Sequence, residues 1–364
     1  MKRRDFLKNA ATAGIAGAAA TTLAAPAIAQ NVRELKMVTT WPKNFPGLGT
    51  SAQRLADNIT AISGGSLSVK VYAAGELVPP FESFDAVSNG TADMYHGAEY
   101  YWQGKSKAFN FFAAVPFGLT ATEMNAWIHH GGGQQLWDEL SSGFNIKPFM
   151  AGNTGVQMGG WYNKEINSLN DYKGLKIRMP GLGGEVLRRI GAAAVSLPGG
   201  EIFPALQSGA IDATEWVGPW NDLAFGFYKV TKYYYYPGFH EPGTTLGSAM
   251  NLKVWESLSA DHKAMVSTAM AAENSISLAE FNAKNGDALN TLRSEHGVEL
   301  RKFDDETLKA IGEASGSVVR EAAESDEITK KVFNSFNDFR KKSIAWSKIS
   351  DQAYWNARIL PFKY

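Results

Sequence analysis

The sequence predicts an α/β protein of two domains, and three observations carry the prediction. ELKMVTTW (34–41) alternates like a strand, TSAQRLADNITAISGG (50–65) sets Leu55, Ile59 and Ile62 at helical spacing before Gly64-Gly65, and LSVKVYAAG (67–75) alternates again. This β-α-β order implies an α/β layer with parallel pairing. The second observation is an echo. FDAVSNGTADMYHGAE from Phe84 and FPALQSGAIDATEWVG from Phe203 share one logic: an apolar helix, a polar-Gly stop, an Asp and a short strand. The plain alternative is chance similarity between two helix-strand units. The third is length, since 364 residues suit two domains better than one. Ligands of open α/β sheets bind beyond the carboxyl ends of strands, so two such ends face to face make a cleft.

The N-terminus stands apart from this fold. MKRRDFLKNA is basic, an Ala-rich apolar run follows, and APAIAQ offers an Ala27-x-Ala29 cleavage site. Arg3-Arg4 followed by Phe6, Leu7 and Lys8 reads as a twin-arginine export signal spanning residues 1–29, with an uncleaved anchor as the alternative. The chain has no Cys, which excludes disulfides, Fe–S ligation and a lipidated Cys. Net charge is zero, with no basic stripe or nucleic-acid motif, so no nucleic-acid partner is expected.

Past Gly247 the pattern turns helical. SADHKAMVSTAMAAENSISLAEFNAKNGDALNTL is Ala/Met-rich with few breakers, and DDETLKAIGEASGSVVREAAE opens on acidic residues as a helix N-terminus prefers. The last segment puts Phe339, Trp346, Ile349 and Ala353 on one helix face.

Three motifs mislead. HHGGGQQ resembles an esterase oxyanion loop, but no G-x-S-x-G elbow accompanies it. FHEPG has His240-Glu241 without a second His, and Pro242 prevents a zinc-protease helix. KIRMPGLGGEVLRRIGA imitates a dinucleotide fingerprint, yet its third glycine position is Val186. That last stretch still places Arg178 at a strand end before a helix N-terminus, where a guanidinium grips a carboxylate through two parallel hydrogen bonds. The alternative is a surface Arg paired to a neighbour.

The remaining candidates are Asn153 and Gln157 in AGNTGVQMGGWYN, the lone Glu215 against Trp216, and Glu241 behind a tyrosine run. An isolated carboxylate among aromatics is either solvated or serves something specific.

GNTGVQMGGW, GLKIRMPG, ALQSGAIDATEWVGPW and YYYYPGFHEPG, in this order and spacing, resemble the solute-binding proteins of TRAP transporters, the DctP-like family, and within it the branch that binds 2-oxo acids such as pyruvate with a metal ion. The similarity spans the chain after the signal. It implies a periplasmic, non-catalytic binding protein that serves membrane subunits. Its fold is two α/β domains joined by crossing strands and long C-terminal helices, with ligand in the cleft between them. Domain I then comprises 30–152 plus 243–285, and domain II 153–242 plus 286–364. The resemblance assigns Arg178 to the substrate carboxylate and Gln157 to both metal and substrate. It assigns Glu215 and the Trp216 carbonyl to the metal, and Glu241 to the site as its later carboxylate. Tyr100 and Tyr101 face the cleft, and relatives include dimers with exchanged terminal helices. Phe239-His240 departs from the family's two aromatics before the late Glu, which leaves the choice of acid open.

The chemistry agrees with the resemblance. A 2-oxo or 2-hydroxy acid chelates a cation through a carboxylate oxygen and the oxygen on C2, and hard cations want oxygen ligands. Glu215, Glu241 and the substrate carry three negative charges against one on Arg178. Neutrality favours Ca²⁺ and the resemblance favours Na⁺, so both stay open. The competing reading is a periplasmic metal-dependent enzyme acting on a 2-oxo acid, and a weaker third is a binder of an aromatic or sugar-alcohol ligand. No nucleophile-base pair supports the enzyme.

Overall fold

The computed structural model describes residues 32–363, so the export signal expected at 1–29 lies outside the described residues. Two sheets organise the chain. The first has strand order β2-β1-β3-β10-β4, built from β1 (Arg33–Thr39), β2 (Leu67–Tyr72), β3 (Met94–Gly97), β4 (Ile146–Asn153) and β10 (Thr245–Asn251). The second has order β11-β9-β5-β8-β6-β7, built from β5 (Gly160–Tyr162), β6 (Lys176–Arg178), β7 (Ala193–Val195), β8 (Ala213–Thr214), β9 (Tyr233–Tyr236) and β11 (Glu299–Lys302). β1 runs parallel to β2 and β3, as the β-α-β pattern predicted, while β10 is antiparallel to β3 and β4. The second sheet repeats the scheme: β6 is parallel to β7 and β8, and β5 is antiparallel to β8 and β9.

The echo from Phe84 and Phe203 is matched bond for bond. The helices Ser83–Ser88 and Gly199–Gln207 each run into a glycine of positive φ, Gly90 at 85° and Gly209 at 71°. Ala92 N–H then bonds Ala86 O (3.0 Å), as Ile211 N–H bonds Ala205 O (3.2 Å). Next, Asp93 N–H meets Lys36 O (3.0 Å) while its carboxylate accepts from Lys36 N–H (2.7 Å). Asp212 does the same to Lys176, at 2.7 and 3.0 Å. An Asp that pins the first strand of a parallel pair is therefore the working part of the repeat, and it aims β3 and β8 at the space between the sheets.

The chain passes between the sheets three times. β4 leaves the first sheet and enters β5 through residues 154–159; β9 returns to β10 through 237–244. The third passage is the helix Ala260–Ser294, one unbroken element of 35 residues. At 1.5 Å per residue it is about 50 Å long. Its buried Glu273 is clasped by Arg54 (2.7 Å) and accepts from Ser51 (2.5 Å), which fixes it to the helix Gly49–Ile62. Among the described residues no helix is long and apolar enough to cross a membrane.

The terminal apolar face divides. Phe339 packs into the main core, close enough that a Cβ on Gly131 would strike its ring. Trp346 and Ile349 are 66% and 73% exposed, and Ile359 is 78% exposed. Helical periodicity identified the stripe but not what covers each part of it.

A second buried acid supports the cleft wall. Glu99 opens the helical turn Glu99–Trp102 that carries Tyr100 and Tyr101. It is fully buried, Tyr95 Oη donates to its Oε1 (2.8 Å), and its Oε2 has no partner. A Cβ on Gly247, opposite Gly97 across β10 and β3, would collide with Oε1, so only glycine fits there. With no cation paired to it, burial pushes the Glu99 carboxyl up to about 8. The folded chain thus keeps a proton that the unfolded chain releases near pH 4.5, and stability declines as pH rises from that value to about 8. Glu99→Gln should flatten this decline, because glutamine is neutral at every pH. Melting temperatures of both proteins at about pH 5 and about pH 8 test this; parallel slopes would rule out a neutral Glu99.

Candidate functional site

β6 and β8 pair with Arg178 opposite Thr214, which sets Glu215 beside the guanidinium. Arg178 is only 1% exposed. Its Nη1 donates to the Glu215 carbonyl (3.0 Å) and to the Glu215 carboxylate, and its Nε donates to Leu197 O (3.2 Å). Its Nη2 reaches Tyr101 Oη (3.4 Å) from the first sheet's side, and the guanidinium lies over the Trp216 ring at 5.0 Å. The resemblance assigned Arg178 and Glu215 separate roles; the structure makes them partners as well.

The crossing segments supply the rest. Thr154 N–H bonds Thr244 O (3.0 Å), Gln157 N–H bonds Glu241 O (3.1 Å) and Gly238 N–H bonds Gln157 O (3.0 Å), so the two linkers form one ribbon. Asn153 fastens it: its Oδ1 accepts from Gly155 N–H (2.8 Å) and its Nδ2 donates to Gly243 O (3.3 Å). The Asn153 amide is thus committed to backbone. Gln157 Nε2 donates to Glu241 Oε2 (2.8 Å), to which the Thr244 hydroxyl also donates. The other amide atom, Gln157 Oε1, is buried and has no hydrogen-bond partner among the described residues. Burial, then the nearby charge of Glu215, raises the Glu241 carboxyl.

His240 is the residue sequence reasoning undervalued. Its Nε2 lies 3.1 Å from Glu215 Oε2, in a buried group where donor atoms of Glu215, His240 and Glu241 all fall within 4.8 Å of one another. Its adjacency to Glu241 in FHEPG was the available signal. Burial opposes protonation of the ring, and the Glu215 hydrogen bond and charge outweigh it and raise the His240 pKa. Two carboxylates against one guanidinium, an amide oxygen without a donor, and an imidazole beside them suit a small cation.

The wall comes from both sheets. Tyr100 is buried and Tyr101 half-buried, their rings 4.9 Å apart, and Tyr100 packs on the N-terminus of the helix Gly181–Arg189. Trp41, just after β1, meets Trp216 edge-on at 6.1 Å, and Phe45 meets Phe225 at 4.3 Å. Asn221 Nδ2 donates to Pro46 O (3.0 Å) across the same seam. Trp41 Nε1 donates to His96 Nδ1 (2.8 Å), and burial lowers His96 to about 4, so it accepts as a neutral ring. Neither Trp41 nor His96 stood out in the sequence.

Residues 37–326 match the family model for bacterial extracellular solute-binding protein, family 7 (DctP). The chain is 40% identical, over 98% of both lengths, to a monocarboxylate 2-oxoacid-binding periplasmic protein of Nostoc sp.. It superposes with a TM-score of 0.88 at 37% identity, over 90% of this chain and 97% of the other, on a TRAP transporter solute-binding protein of Bordetella bronchiseptica, a mixed-occupancy dimer with copurified calcium and picolinate. A TRAP periplasmic solute-binding protein of Pseudoalteromonas atlantica, with bound sodium and pyruvate, gives 0.87 at 38% identity, over 91% of this chain and 100% of that one. The chain therefore belongs to the DctP family of extracellular solute-binding proteins, whose members are periplasmic receptors of TRAP transporters, and it is a binding protein rather than an enzyme.

Proposed function

We propose that this protein binds a 2-oxo or 2-hydroxy monocarboxylate of the pyruvate class together with one metal cation, and delivers it to the membrane subunits of a TRAP transporter. The observation that carries this reading is the orphaned Oε1 of Gln157, whose amide bonds Glu241 in the buried group that Glu241 forms with Glu215, the partner of Arg178. Gln157 Oε1, the Glu215 and Glu241 carboxylates and the Trp216 carbonyl are the oxygens offered to the cation, which would neutralise charge and bridge to the acid. Arg178 takes the acid's carboxylate, Tyr100 and Tyr101 close over it, and Asn153 acts through the ribbon it fastens. The 2-oxoacid-binding relative and the sodium- and pyruvate-bound neighbour support the ligand class. The ligand lies between domain I (30–152 plus 243–285) and domain II (153–242 plus 286–364), with the helix Ala260–Ser294 shared between them.

Two further readings go with it. The exposed Trp346, Ile349, Trp355 and Ile359 form an apolar terminal surface that suits a second copy of the chain, and the Bordetella bronchiseptica neighbour is a dimer. Arg3-Arg4 and the Ala27-x-Ala29 site assign export to the twin-arginine route, with Gln30 as the first residue after cleavage.

Arg178→Ala should weaken pyruvate binding roughly 30-fold to several thousand-fold, the usual result of truncating one partner of a buried charge pair. Glu215→Gln keeps shape and an oxygen ligand, so it should lower cation affinity first and acid affinity as a consequence, because the coupling is reciprocal. Calorimetry of each variant with pyruvate, with and without cation, reads both effects. A loss under about threefold for Arg178→Ala would move the site elsewhere. Light scattering at micromolar concentration should give a dimer mass, and a monomer mass would end the terminal-surface reading. N-terminal sequencing of periplasmic protein should begin at Gln30, whereas an intact Met1 would contradict cleavage.

A further inference from the structure

The cation site contains one donor that a purely oxygen-liganded site does not need. We propose that His240 is a nitrogen ligand to the cation, so that this site prefers a borderline divalent transition-metal ion, of the series from Mn²⁺ to Zn²⁺, over Na⁺ or Ca²⁺. The inference deepens the reading of a cation-dependent acid-binding site and rests on it.

The geometry is that of neighbouring ligands on one ion. His240 Nε2 and Glu215 Oε2 are 3.1 Å apart. Two donors bound at about 2.1 Å and at right angles on one metal are separated by about 3 Å. Glu241 contributes a carboxylate oxygen to the same group, within 4.8 Å of the other two donors, and all three side chains are buried. Gln157 donates through Nε2 to Glu241 and leaves its own Oε1 without a partner among the described residues, an acceptor open to a cation.

The ring is held there by packing. Its Cβ lies so close to Gly183 that a side chain at 183 would strike it, and Phe239 stacks on Phe117 (6.0 Å) just before it. Among the described residues Nδ1 has no hydrogen-bond partner, so no contact there fixes the tautomer that would close Nε2 to a metal. Ligation gives up the hydrogen bond to Glu215 and releases any proton on Nε2 to solvent, and the shared ion takes the place of both. Hard cations gain little from imidazole, which draws in the softer dications of the first transition row. A dication also balances Glu215, Glu241 and a carboxylate ligand against Arg178.

The test uses the full processed chain stripped with a chelator. Affinities for Zn²⁺, Mn²⁺ and Ca²⁺ are measured by calorimetry, first alone and then with pyruvate, for wild type and His240→Phe. Wild type should bind Zn²⁺ at least about tenfold more tightly than Ca²⁺, and His240→Phe should lose most of that ratio. A wild type that prefers Ca²⁺, or a ratio that survives the substitution, overturns the proposal. Should His240→Phe fail to fold, the electron paramagnetic resonance spectrum of Cu²⁺-loaded wild type decides: coupling to one imidazole nitrogen supports it and its absence overturns it. Failure of pyruvate to bind with any cation would instead sink the 2-oxo acid reading, and the metal ranking measured without acid would still be read separately.

Discussion

Arg178 and Glu215 sit side by side with almost no contact with water, and the rest of the molecule is arranged around making that tolerable. A buried ion pair regains its lost hydration only when geometry and further hydrogen bonds are good. Here the register of β6 and β8 sets the pair, the Leu197 carbonyl accepts from the guanidinium Nε, and the Trp216 ring lies 5.0 Å from the guanidinium. The second carboxylate, Glu241, cannot be matched by the same guanidinium. Burial and the Glu215 charge make its ionised form costly without a cation, and a cation in turn gives an anionic chelator something to bind. Affinity for the acid therefore follows from an imbalance built into the protein interior.

The site also draws on both sheets' sides and on the two crossing segments that join them. Gln157 and Glu241 belong to the two linkers by which the chain passes between sheets, zipped to each other by backbone hydrogen bonds. Arg178 and Glu215 belong to the second sheet's side, and Tyr100 and Tyr101 to the first's. A ligand that touches all three groups cannot bind fully unless the halves come together. Binding energy and closure are then one quantity, as hinge proteins require.

Much of this was legible in the sequence wherever the cause is local. The unit from Phe84 and its counterpart from Phe203 read correctly because a helix stop, a glycine of positive φ and an Asp that pins the next strand all fall within a few residues. The place of Arg178, at a strand end before a helix N-terminus, read correctly for the same reason. Partnerships set by register across long separations did not show: Arg178 with Glu215, His240 with Glu215, Trp41 with His96. The terminal helix is the intermediate case. Its spacing identified an apolar stripe, but only packing shows that Phe339 is covered by its own core while Trp346 and Ile349 are not. The export signal is legible only as sequence, since residues 1–31 fall outside the description.

The seam between the halves has an optical side. Trp41 comes from one half and Trp216 from the other, their rings perpendicular and 6.1 Å apart, and Trp216 also lies under the Arg178 guanidinium. Two indoles at that distance share their ultraviolet transitions, and a cation over a ring shifts its emission. When the halves part, the coupling between the two indoles is lost, while the Arg178 contact, made within one half, stays. The protein thus carries its own chromophore pair across the seam, so the intrinsic absorbance, circular dichroism and fluorescence of the unlabelled chain report how far it has opened.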